Sequence, residues 1–190
     1  GLEQSAIVQE RAGKYQPKVT YPKTSLAESL QQCAALISAD LGVRALSVGL
    51  GGFDTHSKQN MSREVGGLGF HDNLLKQVSD AVSAFYTDAE AQGFADRIVV
   101  LIFSEFGRTP NENGDQGTDH GYASVMFVVG GSVKGGVYGE YPSLDQSKLF
   151  IDNLDVNTDF RSVYSTLLAN HLSVDPEQVL GSKFSTLSFI

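Results

Sequence analysis

The sequence has little of several features that would assign it to a broad class of protein. It contains one cysteine, Cys33, so an internal disulfide bond cannot form. Its longest apolar run, residues 98–103, is far shorter than the roughly 18 residues of a membrane-spanning helix. Basic residues are few, since 14 Lys and Arg stand against 22 Asp and Glu, for a formal net charge of −8. We therefore expect no membrane span and no nucleic-acid partner, because a nucleic-acid binder needs a basic face.

The remaining composition is typical of a folded protein. The chain has 190 residues, of which 41% are hydrophobic and 19% are charged, values that suit one compact domain. Residues 1–23 show no hydrophobic period and are interpreted as a lead-in from an upstream segment. Residues 24–190 are predicted to form a single α/β domain. Because the chain does not begin with Met, we expect it to be a segment of a longer protein.

Hydrophobic periodicity predicts three helices, over residues 25–41, 71–92 and 160–171. Ser25 and Glu28 form a capping-box pattern at the first helix, and Gly42 is its expected end. Gly93 is the expected end of the second helix, and Asp159 is the expected N-cap of the third.

Apolar segments between these helices predict strands over residues 43–50, 98–103, 125–129 and 137–138. The run at 98–103 lacks alternation, which is typical of a strand buried on both faces in a parallel sheet. The order of helices and strands therefore predicts a layered α/β sandwich, with a mainly parallel central sheet flanked by helices.

Acidic and histidine side chains cluster at the ends of these predicted strands, where α/β sheets place their functional sites. They are Asp54 and His56 after the first strand, Glu105 and Arg108 after the second, and Asp119 and His120 before residues 125–129. If residues 125–129 run antiparallel to the other two strands, all three clusters meet at one edge of the sheet.

Such a set matches the ligands of a divalent metal. Carboxylates with imidazole suit Zn²⁺ or Mn²⁺, and carboxylates alone suit Mg²⁺ or Ca²⁺. The predicted metal ligands are Asp54, His56, Glu105, Asp119 and His120. Arg108 and Glu105 are the candidate catalytic residues, because paired N–H donors of Arg108 could bind a phosphate or sulfate. An ion pair between Glu105 and Arg108 is an equally open interpretation.

Other candidate residues have simpler interpretations. Ser104 lacks the Gly-X-Ser-X-Gly pattern of a nucleophile and is read as a structural hydroxyl. His71 is read as a helix-start residue that could still reach the site. Cys33 lies on an apolar helical stripe and is read as a buried thiol.

Four motifs occur in order along the chain: GGFDTH at 51–56, FSEFGRT at 103–109, GTDHG at 117–121 and DFRSVY at 159–164. Together they resemble the bacterial domain of unknown function 1501 family, from about Tyr21 to the C-terminus. The resemblance implies an alkaline-phosphatase-like fold and kinship with the alkaline phosphatase and sulfatase superfamily. It also implies export, often through a twin-arginine signal, to the periplasm or the extracellular space.

The same resemblance implies that the chain is the C-terminal part of a larger fold, from an exported, metal-dependent hydrolase of small-molecule or polymeric phosphate or sulfate esters. The nucleophile of that superfamily comes from an N-terminal half that precedes this segment. Asp54 and His56 would hold one metal, Glu105, Asp119 and His120 would complete the ligand set, and Arg108 would face the substrate oxyanion.

Asp54 and His56 are two residues apart, whereas the superfamily often spaces its first Asp and His by four. A non-catalytic exported surface or matrix protein that retains the fold is therefore an alternative. A metal-binding, lectin-like module is a third.

Overall fold

The structure, a computed structural model, describes residues 8–62 and 65–190. Its chain divides into two compact units, the first ending at Arg97 and the second spanning Ile98–Ile190. The first seven residues of the predicted lead-in lie outside the described residues. Residues 8–12 are helical. The predicted boundary at residue 24 stays a prediction.

Two packed helices form the core of the first unit. α1 spans Ser25–Ser38, and Thr24 is its N-cap, since the Thr24 side chain accepts a hydrogen bond from the Ala27 amide. The capping-box pattern placed the N-cap at Ser25, one residue after its position in the structure. α1 also ends at Ser38, before the expected end at Gly42. α2 spans Phe70–Gln92 and ends at Gly93 with φ 81°, as predicted. The buried apolar residues of the two helices are Leu26, Ala27, Leu30, Cys33, Ala34, Leu74, Ala81, Phe85 and Ala89.

Cys33 is buried in this core, as its place on the apolar stripe of α1 predicts. Burial raises the pKa of the Cys33 thiol. The thiol therefore behaves as a small apolar group rather than as a nucleophile.

The predicted strand over residues 43–50 is wrong. This segment belongs to neither of the sheets in the described part of the chain, and its apolar residues Val43, Leu46 and Val48 are exposed. Alternation of apolar residues favours an extended backbone, but only a hydrogen-bonded neighbour makes that backbone a strand.

The second unit contains two small sheets, each of two antiparallel strands. β1 (Val99–Ile102) pairs with β4 (Phe127–Gly130), and Val99 lies opposite Gly130. β2 (Gly107–Arg108) pairs with β3 (His120–Gly121), and both lie in the long connection between β1 and β4. Residues 137–138, predicted as a strand, are not one.

The predicted layered α/β sandwich with a mainly parallel central sheet is therefore contradicted. The residues of β1 are only partly buried, so their unbroken apolar run does not reflect burial on both faces. β4 does run antiparallel to β1, the orientation assumed above for residues 125–129. Apolar residues without alternation cannot distinguish a central parallel strand from a short antiparallel one.

The C-terminal part of the second unit is helical. α3 (Phe160–Thr166) begins at Asp159, whose carboxylate accepts a hydrogen bond from the Arg161 amide, and it continues as a π-helix over Leu167–His171. Residues 160–171 are thus helical, as predicted. α4 (Pro176–Leu180) begins at Asp175. Two short 3₁₀ helices span Ala95–Arg97 and Gln146–Lys148.

A tight turn joins Phe150 to Asn153, which face each other in an antiparallel bridge. Its two central residues, Ile151 and Asp152, have φ 49° and 57°. Both are therefore in the left-handed region that glycine or asparagine usually occupies.

Among the helices within residues 8–62 and 65–190, none has the length and apolar character required to cross a bilayer.

Candidate metal centre

In the first unit, the structure pairs the two sequence-predicted ligands Asp54 and His56. His56 Nε2 lies 2.9 Å from Asp54 Oδ1, and the two side chains are 45% and 62% exposed respectively. Thr55, between them, is buried, and its hydroxyl donates to Gln59 Oε1 at 3.1 Å. Asp54 and His56 are both exposed to solvent on either side of the buried Thr55.

The loop that carries this pair is anchored to the start of α2. The His71 amide donates to the Gln59 carbonyl at 3.0 Å, and the Phe53 and His71 rings meet edge to face with centroids 5.7 Å apart. A Cβ on Gly69 would lie 2.8 Å from Asn60 Cα, so only glycine allows the loop to approach the helix this closely. His71 therefore has the helix-start role expected for it, and the anchor limits the motion of Asp54 and His56.

In the second unit, three side chains share one face of the β2–β3 ladder. Arg108 lies opposite His120 in the register, and Phe106 precedes Arg108 by two residues, which places it on the same face. The His120 ring stacks on Phe106, with centroids 4.1 Å apart and planes 10° apart. Arg108 Cζ lies 5.1 Å from the centroid of the same Phe106 ring. Arg108 Nη1 also donates to the Thr118 carbonyl at 2.7 Å.

Asp119 is held by the loop between β2 and β3. Asn113 Nδ2 donates to Asp119 Oδ1 at 3.0 Å, and the Asp119 amide donates to Thr109 Oγ1 at 3.2 Å. Asn113 Oδ1 in turn accepts from the amides of Asp115 and Gly117. These bonds cross-link the loop internally, so the Asp119 carboxylate has a defined orientation although it is exposed.

Glu105 and Ser104 lie between β1 and β2, and both are exposed. Glu105 directly precedes Phe106, so its carboxylate is carried at the start of the β2–β3 hairpin.

A family model described as "Protein of unknown function (DUF1501)" matches residues 4–182. The chain belongs to the DUF1501 family. The match includes the four motifs and begins well before Tyr21, so it also covers most of the lead-in. No curated protein and no solved structure matches the chain.

The structure therefore groups the predicted site residues of this DUF1501 chain within each unit. Asp54 and His56 pair in the first unit, while Glu105, Arg108, Asp119 and His120 lie on or beside the β2–β3 hairpin of the second. The three clusters do not share an edge of one sheet as predicted, because residues 43–56 belong to neither sheet of the described residues. The five-ligand set itself stays a prediction.

Sequence reasoning missed two residues that orient site side chains in this DUF1501 chain, Phe106 and Asn113. Phe106 could have been found from the two-residue step to Arg108, which places both on one face of a strand. Asn113 could have been found from its position in a loop rich in Gly and Asp, where Asn side chains commonly cap backbone amides.

Proposed function

We propose that this DUF1501 protein is a metal-dependent hydrolase of phosphate or sulfate esters. Its proposed metal ligands are Asp54, His56, Glu105, Asp119 and His120. The observation that carries the proposal is the 2.9 Å separation of Asp54 Oδ1 and His56 Nε2 in an anchored, solvent-exposed loop.

This separation suits two ligands of one ion. Carboxylate oxygens and imidazole nitrogens bind Zn²⁺ at about 2.0–2.2 Å, so neighbouring ligand atoms in a tetrahedral or octahedral shell lie about 2.8–3.6 Å apart. Asp54 and His56 therefore need little rearrangement to bind a cation. Mixed carboxylate and imidazole ligands favour Zn²⁺ or Mn²⁺ over Mg²⁺ or Ca²⁺. When bound, such an ion would polarise an ester oxygen and lower the pKa of a coordinated water.

The residues of the β2–β3 hairpin support the choice of an anionic ester as substrate. The guanidinium of Arg108 is oriented by the Thr118 carbonyl and by the Phe106 ring, and it would donate to the oxygens of a phosphoryl or sulfuryl group. Glu105 would exchange a proton with the reacting oxygen. The kinship with the alkaline phosphatase and sulfatase superfamily, which the resemblance of the four motifs to the DUF1501 family implies, favours the same substrate class.

Metal binding is tested by titrating the purified chain with Zn²⁺ and Mn²⁺ in a calorimeter. We expect D54N, H56Q, D119N and H120Q each to weaken binding at least about tenfold. D159N is a matched control, because Asp159 is also acidic and also lies two residues from a polar partner, Arg161. Asn retains the helix cap there. Unchanged affinity in all four ligand variants would refute the proposal.

Catalysis is tested with p-nitrophenyl phosphate and p-nitrophenyl sulfate, using the metal-loaded full-length protein. We expect R108K to lower turnover without changing metal affinity, because Lys lacks the paired donors of Arg. Metal binding without turnover of either ester would leave the ligand set standing and contradict the hydrolase.

The second candidate function is a non-catalytic surface or matrix protein. Large apolar side chains of the second unit support it, since Val137 is 81% exposed and Tyr141 is 89% exposed. A surface on which such residues adjoin one another would bind other molecules. Robust ester turnover would argue against this candidate. Both candidates place the protein outside the cytoplasm, and fractionation of the producing cells tests that expectation.

A further inference from the structure

We infer that Phe106 is a positioning residue that sets the orientation of the His120 imidazole. The inference rests on the proposed function, since it assigns His120 as a metal ligand. Phe106 itself touches neither metal nor substrate in this arrangement, and it acts through His120 and Arg108.

The geometry of the stack carries the inference. With ring planes 10° apart and centroids separated by 4.1 Å, Phe106 and His120 are in face-to-face contact. Rotation of the imidazole about its χ2 bond would remove that contact, so the stack selects one ring plane. A histidine ligand binds a metal through a lone pair in the plane of its ring. Fixing that plane therefore confines a cation bound to His120 to the plane of the stacked ring.

The two strands beneath the stack approach each other closely. Gly107 and Gly121 pair across the ladder, and an added Cβ on Gly107 would lie 1.8 Å from the Ala123 carbonyl oxygen. Close approach at these glycines holds β2 and β3 together. The side chains of Arg108 and His120 are consequently held against the ring of Phe106, on the face of the ladder that these three residues share.

Arg108 adds a second link to the same ring. Its guanidinium lies within cation–π distance of Phe106, which aligns Arg108 with His120 on one face. Removing the Phe106 ring would therefore disturb the proposed ligand and the proposed anion-binding residue together. Phe103 provides a matched control, since it is 58% exposed and its ring contacts Tyr164 rather than His120.

The test has two readouts on the full chain, with F106L, F106Y and F103L compared with the wild type. The first is the NMR spectrum of protein labelled with ¹³C at histidine, with the His120 signals assigned from H120Q. We expect the ring protons of His120 to be shifted upfield by the Phe106 ring current in the wild type, F106Y and F103L. That shift should be lost in F106L.

The second readout is the dissociation constant for Zn²⁺ by calorimetry. We expect F106L to raise it about tenfold, as loss of a partner that orients a ligand typically does. F106Y and F103L should leave it unchanged, because one keeps the stacked ring and the other lies elsewhere.

Three results would overturn the inference, and they are distinguishable. Wild-type His120 signals at ordinary positions would show that the stack does not form, and this measurement needs no variant to fold. Loss of the upfield shift in F106L without a change in Zn²⁺ affinity would show that Phe106 does not position a ligand. An upfield-shifted His120 in a wild-type chain that binds no metal would refute the proposed function instead, and the positioning role with it.

Discussion

The hydroxyl of Tyr21 donates a 2.9 Å hydrogen bond to the carboxylate of Asp88, a fully buried residue of α2. The Tyr15 hydroxyl and the Lys18 amide donate to the same carboxylate. One buried acid thus holds the segment at residues 15–21 against α2, within the first unit.

Replacing Asp88 with Ala should destabilise the first unit strongly. The substitution leaves three donors without their acceptor, and we expect a loss of about 3 kcal/mol in the free energy of unfolding. Urea denaturation followed by circular dichroism measures it. D80A on the same helix is the control, because Asp80 forms a surface ion pair with Lys76, and its loss should cost less than about 1 kcal/mol. Equal midpoints for the two variants would contradict the anchoring role of Asp88.

The same cluster predicts a loss of stability at alkaline pH. Burial raises the pKa of Tyr15 and of Tyr21, and the hydrogen bonds with Asp88 add to both increases. The folded state therefore keeps these phenolic protons at pH values where the unfolded chain, with a pKa near 10, releases them. The stabilisation is complete below pH ~10 and is lost as the pH rises further, by less than about 1.4 kcal/mol per pH unit for each tyrosine, because water screens these part-exposed side chains.

Denaturation curves between pH 8 and 11 measure this slope. Lysines also titrate in this range, so the Y15F/Y21F double variant is the reference, and its stability should fall less steeply than that of the wild type. Parallel curves for the two proteins would rule out the raised pKa values as the cause.

Two glycines of the β2–β3 loop should respond differently to the same substitution. In G107A the new Cβ would meet the Ala123 carbonyl at 1.8 Å, so the backbone of the ladder must separate. We expect a loss of about 1–3 kcal/mol, together with faster proteolysis of residues 107–121. In G114A the new Cβ meets no atom within 4 Å, so stability should hardly change. A thermal melt compares the two, and similar melting temperatures would be inconsistent with the close approach at Gly107.

Metal should raise the melting temperature of the wild-type chain. A ligand at about 100 times its dissociation constant stabilises the folded state by about 2.7 kcal/mol. We expect Zn²⁺ or Mn²⁺ to produce this shift, and D54N to reduce it more than D159N does. A shift of the same size in D54N would remove Asp54 from the ligand set.

Local signals in the sequence were sufficient for the three longest helical segments and insufficient for the sheets. The periodicity of α2, its end at Gly93 and the cap at Asp159 depend on neighbouring residues only, so they could be predicted. Pairing of β1 with β4 depends on residues more than 20 positions apart. Residues 43–50 have the composition of a strand, but they pair with no other strand in the described part of the chain. The sheet architecture therefore could not be deduced from periodicity.

The candidate site was predictable where its residues are close in sequence. Asp54 pairs with His56 across one intervening residue, and Asp119 adjoins His120, so both pairs follow from the motifs alone. Asp88 was missed because an acidic residue on a helix is normally taken as exposed. It does lie three residues after Phe85, on the apolar stripe of α2, and that position was the available signal.

The turn between Phe150 and Asn153 offers a position at which a single substitution should stabilise the protein. Ile151 is branched at Cβ yet has φ 49°, a conformation that costs such a residue about 1–2 kcal/mol. I151G relieves this local conflict at a side chain that is largely in solvent. The single substitution I151G should therefore raise the free energy of unfolding, and it changes none of the residues proposed to bind metal or ester.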